Sequence, residues 1–231
     1  MAVCETQVRG DNPENFNMPG YSLLPFFSPR RGLALYIRSD VAYQCQQQYN
    51  MSDPEFSAFW VKLKIQTRIV HFCFIYRSPN TSRDHTLSGL ESISSSISSI
   101  LAHHPQSEIV VAGDFNVHNT EWLVFSNHTS PEGLDVELFS NFNNLTELVE
   151  SPTHFPCVAG QAINLLDLFL TSHPEQYEVK VIAPLGNSDH CTISAISPLE
   201  SSPVSPAAPK RLVWLYDRAD WEGLNNFFYQ F

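Results

Sequence analysis

The sequence predicts an α/β protein built on two packed β-sheets, with helices outside. Short apolar runs of strand character recur along most of the chain, whereas only two stretches carry a helical period. The chain has 231 residues, 43% hydrophobic and 16% charged, the balance of one domain with a sizeable core rather than a disordered chain. No internal repeat interrupts this pattern.

Taken in order, residues 2–4 read as the end of a strand and residues 11–29 as a loop rich in Pro and Asn. Residues 33–38 and 41–46 read as two strands broken at Ser39-Asp40, the pattern of a hairpin turn. Phe59, Val61, Leu63 and Ile65 alternate with Trp60, Lys62 and Lys64, the period of a half-buried strand. Residues 69–76 form a continuous apolar run and predict a more deeply buried strand. Leu87, Leu90, Ile93, Ile97 and Ile100 share one helix face, although the serines between them are indifferent helix formers. Residues 108–112 predict a core strand. Leu134, Leu138, Phe139 and Phe142 mark a second helix, and residues 162–170 a further buried strand. Residues 179–182 and 191–196 complete the sheet material. The domain is expected to span 1–197, followed by a Ser/Pro-rich linker at 198–209 and an aromatic-rich tail at 210–231 that docks on it or leads to a following domain.

Thirteen Lys and Arg against 24 Asp and Glu give a net charge of −11. That speaks against a protein that holds nucleic acid mainly by neutralising phosphates. It does not speak against an enzyme whose carboxylates gather a divalent cation, since the ion then supplies the positive charge. Arg30, Arg31, Arg38, Lys62, Lys64, Arg68 and Arg77 are the basic residues from which a phosphate-facing strip would be drawn. No segment has the length of apolar sequence that a membrane span needs, and no secretory pattern opens the chain. Five scattered cysteines, without metal-ligand spacing, read as free thiols in a reducing, intracellular setting.

The chemistry concentrates in Gly-Asp-Phe-Asn at 113–116 and Ser-Asp-His at 188–190. The first ends a buried strand, so Asp114 and Asn116 are expected two apart on an extended segment, both side chains pointing the same way. A carboxylate there orients and deprotonates water, and an amide holds a phosphate oxygen. The plain alternative is an Asp/Asn turn at a strand end. Asp189 offers oxygen to a hard cation, and His190 a proton donor near neutral pH. Asp167 interrupts the run from Leu165 to Leu170 and needs a partner if buried. Pairing with His190 would fix that ring, while capping a turn is the competing role. Glu5 ends the first apolar run as a candidate metal ligand. Tyr76 ends a strand, where its hydroxyl either meets a phosphate or satisfies itself at the sheet rim. His118, Asn119 and Trp122 follow the first motif, with Trp122 reading as packing, and His71, His85, His103, His104, His128, His154 and His173 read as structural.

In this order the pieces resemble the endonuclease/exonuclease/phosphatase superfamily, with its DNase-I-like fold, and most nearly the apurinic-type endonuclease domain of non-LTR retrotransposons. The resemblance rests on Val-Cys-Glu-Thr at 3–6, Arg-Gly-Leu-Ala-Leu-Tyr-Ile at 31–37 and Ile-Tyr-Arg-Ser-Pro-Asn at 75–80. It continues in Gly-Asp-Phe-Asn-Val-His-Asn-Thr-Glu-Trp at 113–122, Ser-Pro-Thr-His at 151–154, Leu-Leu-Asp-Leu-Phe-Leu-Thr-Ser at 165–172 and Asn-Ser-Asp-His at 187–190. It implies a four-layered α/β sandwich and Mg²⁺- or Mn²⁺-dependent nicking of DNA that leaves a 3′-hydroxyl to prime reverse transcription. Glu5 and Asp189 would then hold the metal, Asp114 would activate water and Asn116 would position the phosphate. Tyr76 and His190 would stabilise the transition state, with Asp167 orienting His190. Tyr216-Asp217 and Ala219-Asp220-Trp221 resemble the stretch leading toward a reverse transcriptase, which implies a longer polyprotein acting in the nucleus. In that family an Asn-bearing strand precedes the one with the metal-binding Glu. This sequence begins after it, so the expectation is an N-terminally truncated chain that keeps the fold but nicks weakly or not at all. The competing readings are a phosphatase or phosphodiesterase on the same scaffold and a non-catalytic remnant that binds a partner.

Overall fold

The computed structural model describes residues 1–4, 16–24, 33–156 and 162–197. Strands β1 (Ala2–Val3), β2 (Tyr21–Leu23), β3 (Ala34–Arg38), β4 (Tyr43–Cys45), β5 (Phe56–Ile65) and β6 (Arg68–Arg77) precede helix α1 (Arg83–His103). Strand β7 (Glu108–Asp114), helix α2 (Pro131–Phe142), and strands β8 (Thr146–Glu147), β9 (Asp167–Thr171), β10 (Glu178–Ile182) and β11 (Thr192–Ile196) follow. Glu5 and the segment 198–231 lie outside the described residues, and the linker and tail expectations with them.

A mixed six-stranded sheet of order β4-β5-β6-β7-β9-β8 forms the centre, with β6 and β7 parallel and the other neighbours antiparallel. The parallel pair needs a crossover, and α1 supplies it. Ser82 caps α1 by accepting from the His85 amide at 3.3 Å. Its apolar stripe, Leu90, Ile93, Ile97 and Ile100, joins Cys73, Ile75 and Val111 of the sheet and Val136 and Phe139 of α2 in the main core. Gly89 lets the helix come close, since a Cβ there would meet the Phe56 ring at 2.7 Å. The opposite face is covered by the antiparallel sheet β1-β3-β2: Leu24, Leu35 and Ile37 pack on Phe59, Val61 and Tyr76. The β10–β11 pair adds Val179, Val181 and Ile193 to the main core. The result is the mixed α/β sandwich that the sequence predicts, and among the described residues the two α-helices cover one outer face. No helix of those residues is long and apolar enough to cross a membrane.

Several local expectations are corrected. Residues 11–29 contain β2, paired to β3. Ser39-Asp40 joins no hairpin, because β3 is flanked by β1 and β2 whereas β4 pairs with β5 in the other sheet. Strand β5 is buried on both faces through Val61, since helices cover one side and the small sheet the other; only its distal end opens to solvent. The predicted strand over 162–170 begins only at Asp167. Helix α2 turns a different face inward: Leu134, Leu138 and Phe142 are exposed, whereas Gly133, Asp135, Val136, Phe139 and Ser140 are buried. Asp135 sits on the buried side because Arg83 of α1 grips it in bidentate fashion at 2.7 and 2.8 Å.

Candidate active site

Strand register brings three of the candidate residues into one row. Tyr76 on β6 is the partner of Asp114 on β7, and Asp114 is the partner of Asp167 on β9. Direct partners leave a sheet on the same side, so one residue type per strand builds a cluster without any loop. Asp114 can take its place only because Gly113 precedes it: φ there is 142°, and a Cβ would lie 1.9 Å from the Ile75 carbonyl oxygen.

Beyond Asp114 the chain does not stay extended, which corrects the expected in-line pair. Asn116 is left-handed at φ 48°, and its amide N–H donates back to the Asp114 carboxylate at 3.1 Å. The Asn116 side chain donates to the Arg77 carbonyl at 2.8 Å. Arg77 holds this turn in place. Its guanidinium is buried and donates to Thr86 at 2.8 Å and to the carbonyls of Thr81 and Asn116, both at 3.0 Å. The turn alternative for Asp-Phe-Asn is therefore also true of it.

The other wall comes from residues 153–155, which run beside 189–191. Phe155 donates to the Asp189 carbonyl at 2.8 Å, Cys191 to the Thr153 carbonyl at 2.6 Å, and His154 and His190 are antiparallel partners. The Thr153 hydroxyl accepts from the amides of Leu166 (3.0 Å) and Asp167 (3.1 Å), fixing Asp167 where β9 begins. Across this join, His190 Nδ1 donates to Asp167 Oδ2 at 2.8 Å. Burial alone would lower the proton affinity of His190. The hydrogen bond to Asp167 and the charges of Asp167, Asp114 and Asp189 outweigh it and raise the pKa to about 9.

Asp114, Asp167 and His190 thus present ligand atoms within 4.8 Å of one another, and so do His154, Asp189 and His190. Asp114 is buried, Asp167 and His190 are half-buried, and Asp189 is half-exposed. Tyr76 is wholly buried, packed in the core between the sheets. Glu5 lies outside the described residues, although its neighbour Cys4 reaches the Ile75 carbonyl with its thiol at 3.8 Å. Of the basic residues named for a strip, Arg77 is buried, Arg38 pairs with Asp40 and Arg68 with Glu108, while Arg30 and Arg31 lie outside the described residues.

Sequence reasoning missed His154, Thr153 and Arg77. The first two lie in Ser-Pro-Thr-His, whose signal is the motif itself, but no local pattern tells what a histidine there faces.

The model of the endonuclease-reverse transcriptase family matches residues 70–194, more than half of the chain. Among curated proteins, none matches in sequence. The endonuclease domain of TRAS1, a telomere-specific non-LTR retrotransposon, has the same fold with a TM-score of 0.63 at 16% identity, covering 79% of this chain and 82% of that domain. The 3′ phosphatase NExo from Neisseria, bound to product DNA hairpin, gives 0.61 at 14% identity, over 85% and 88% of the two chains. An AP endonuclease from Archaeoglobus fulgidus gives 0.54 at 17% identity, over 86% and 88%. Family and fold together support nuclease- or phosphodiesterase-type hydrolysis on this scaffold. The chain belongs to the endonuclease-reverse transcriptase family, within the endonuclease/exonuclease/phosphatase superfamily.

Proposed function

We propose that this protein hydrolyses phosphodiester bonds in DNA, nicking one strand to leave a 3′-hydroxyl that primes reverse transcription within a larger nuclear polyprotein. The observation that carries the reading is the convergence of Asp114, Asp167 and His190 at the ends of adjacent strands. Asp114 orients the attacking water and takes its proton. Asn116, with one side-chain N–H committed to the Arg77 carbonyl, keeps a second N–H to donate to a phosphate oxygen. His190, kept protonated by Asp167, donates to the phosphoryl oxygen through its other ring nitrogen. Tyr76, the buried member of the same row, is assigned to stabilising the charge that develops on the phosphate.

The carboxylate oxygens of Asp189 and of the neighbouring Asp114 and Asp167 are donors of the kind Mg²⁺ or Mn²⁺ takes. Asp189, together with Glu5, would hold the ion, and such an ion when bound offsets the charge that develops on the phosphate. Nicking of supercoiled plasmid tests the reading. Slow Mg²⁺-dependent relaxation is expected, lost on chelation, with Asp114→Asn and His190→Gln slower still by about 10²–10⁴-fold, and the nick extendable by a polymerase. A wild-type rate equal to that of Asp114→Asn in both metals would sink it and leave the non-catalytic reading. Hydrolysis of phosphoinositides in place of plasmid would select the phosphatase reading.

A further inference from the structure

We propose that His154, Asp189 and His190 form a nitrogen-rich site for a borderline transition-metal ion of the Zn²⁺ or Co²⁺ kind, beside the carboxylate row. The claim goes beyond the nuclease reading, which needs only a hard cation on oxygen, and it holds whether or not DNA is cut.

The backbone builds the site before any ion arrives. His154 and His190 are direct antiparallel partners, and the rungs Phe155–Asp189 (2.8 Å) and Cys191–Thr153 (2.6 Å) close the ladder on either side. Partners of that kind hold their Cβ atoms close on one face, and the two ring centroids are 4.8 Å apart. His154 Nε2 and Asp189 Oδ2 stand 3.4 Å apart. That is longer than a good N–H···O bond, typically about 2.7–3.2 Å. It matches the edge of a tetrahedron whose metal–ligand bonds are about 2.0–2.2 Å, which comes to roughly 3.3–3.6 Å. An octahedral Mg²⁺ site with bonds of about 2.0–2.1 Å would want its neighbouring ligands closer, near 3 Å. His190 lies within 4.8 Å of both and closes the remaining gap as the ion binds.

The surroundings of the rings fit the same assignment. Asp167 accepts from His190 Nδ1, so the ion would bind at Nε2 by displacing the proton held there, and the carboxylate raises that nitrogen's basicity, as carboxylates behind ligating imidazoles do. The Nδ1 of His154 is buried without a hydrogen-bond partner, so Nε2 is the atom through which that ring acts. Two imidazoles and one carboxylate favour borderline metals over Mg²⁺. Asp189 would then be shared, and an ion seated here would also occupy the ring assigned to the phosphate.

The full chain, stripped with chelator, is titrated with Co²⁺ and followed by visible absorption. An intense tetrahedral d–d band is expected, displaced by Zn²⁺, absent in His154→Gln, and about 10–100-fold weaker in affinity in Asp167→Asn. Hyperfine-shifted ring N–H signals from two histidines are expected in the NMR spectrum of the Co²⁺-loaded wild type. That readout stands even if His154→Gln does not fold. A weak octahedral spectrum, His154→Gln binding as the wild type does, or fewer than two shifted imidazoles overturns the proposal. Tetrahedral Co²⁺ binding with no plasmid nicking would fail the nuclease reading alone; nicking without tetrahedral Co²⁺ would fail this one alone.

Discussion

Among single residues, His71 shows how burial sets chemistry without serving the site. Its ring is 1% exposed, with Nδ1 2.7 Å from the Gln46 side-chain oxygen. Burial first, then the charges of Lys62 and His104, lower its pKa from 6.5 to about 4. The unfolded chain therefore binds a proton that the folded chain refuses, so this contribution is complete above pH 6.5 and is lost as pH falls toward 4. The stability difference between the wild type and His71→Gln in urea unfolding should fall by about 3 kcal/mol as pH drops across that window; a difference that does not change with pH would reject the assignment. The sequence made the titrating residues of the site legible for a related reason. Asp167 inside an apolar run demands a partner, and Asp189-His190 at a strand start offers one. His154 stayed hidden because what matters about it is a neighbour far along the chain. Asn116 was visible as a residue, but its left-handed backbone was not, since an Asn two places after an Asp is as compatible with a strand as with a turn.

Among elements, α2 separates pattern from packing. A stripe of Leu134, Leu138 and Phe142 has helical spacing, yet these side chains stay outside because the helix is docked by Asp135 on Arg83 and by Asn143 on Ser94 (3.0 Å). Phe139→Ala should cost about 3–5 kcal/mol and Leu138→Ala within about 0.5 kcal/mol of nothing. Equal losses in thermal or urea unfolding would contradict the observed face. Helix α1 was legible because Ile93, Ile97 and Ile100 had no such polar competitor. Strands β5, β6 and β7 were legible as apolar runs, but their sheet partners were not. Periodicity reports which faces are buried and says nothing about what buries them, so β3 and β4 looked like a hairpin although they belong to different sheets.

On the scale of the whole molecule, charge decides how DNA would be held. With a net charge of −11 and Arg38, Arg68 and Arg77 already committed, little cationic surface remains for phosphate among the described residues. DNA binding measured in EDTA should be weak and should strengthen when a divalent cation is added. Its logarithmic salt slope should be shallow, because that slope counts phosphate–cation contacts. Tight, chelator-insensitive binding with a steep slope would contradict this. The register that aligns Tyr76, Asp114 and Asp167 and then receives His190 draws on positions spread across about half the chain. A polypeptide still emerging from the ribosome therefore holds only fragments of the set. The hydrolysis proposed above would then be acquired last, after His190 has been made and docked, leaving an unfinished or misassembled copy harmless to the nucleic acid around it.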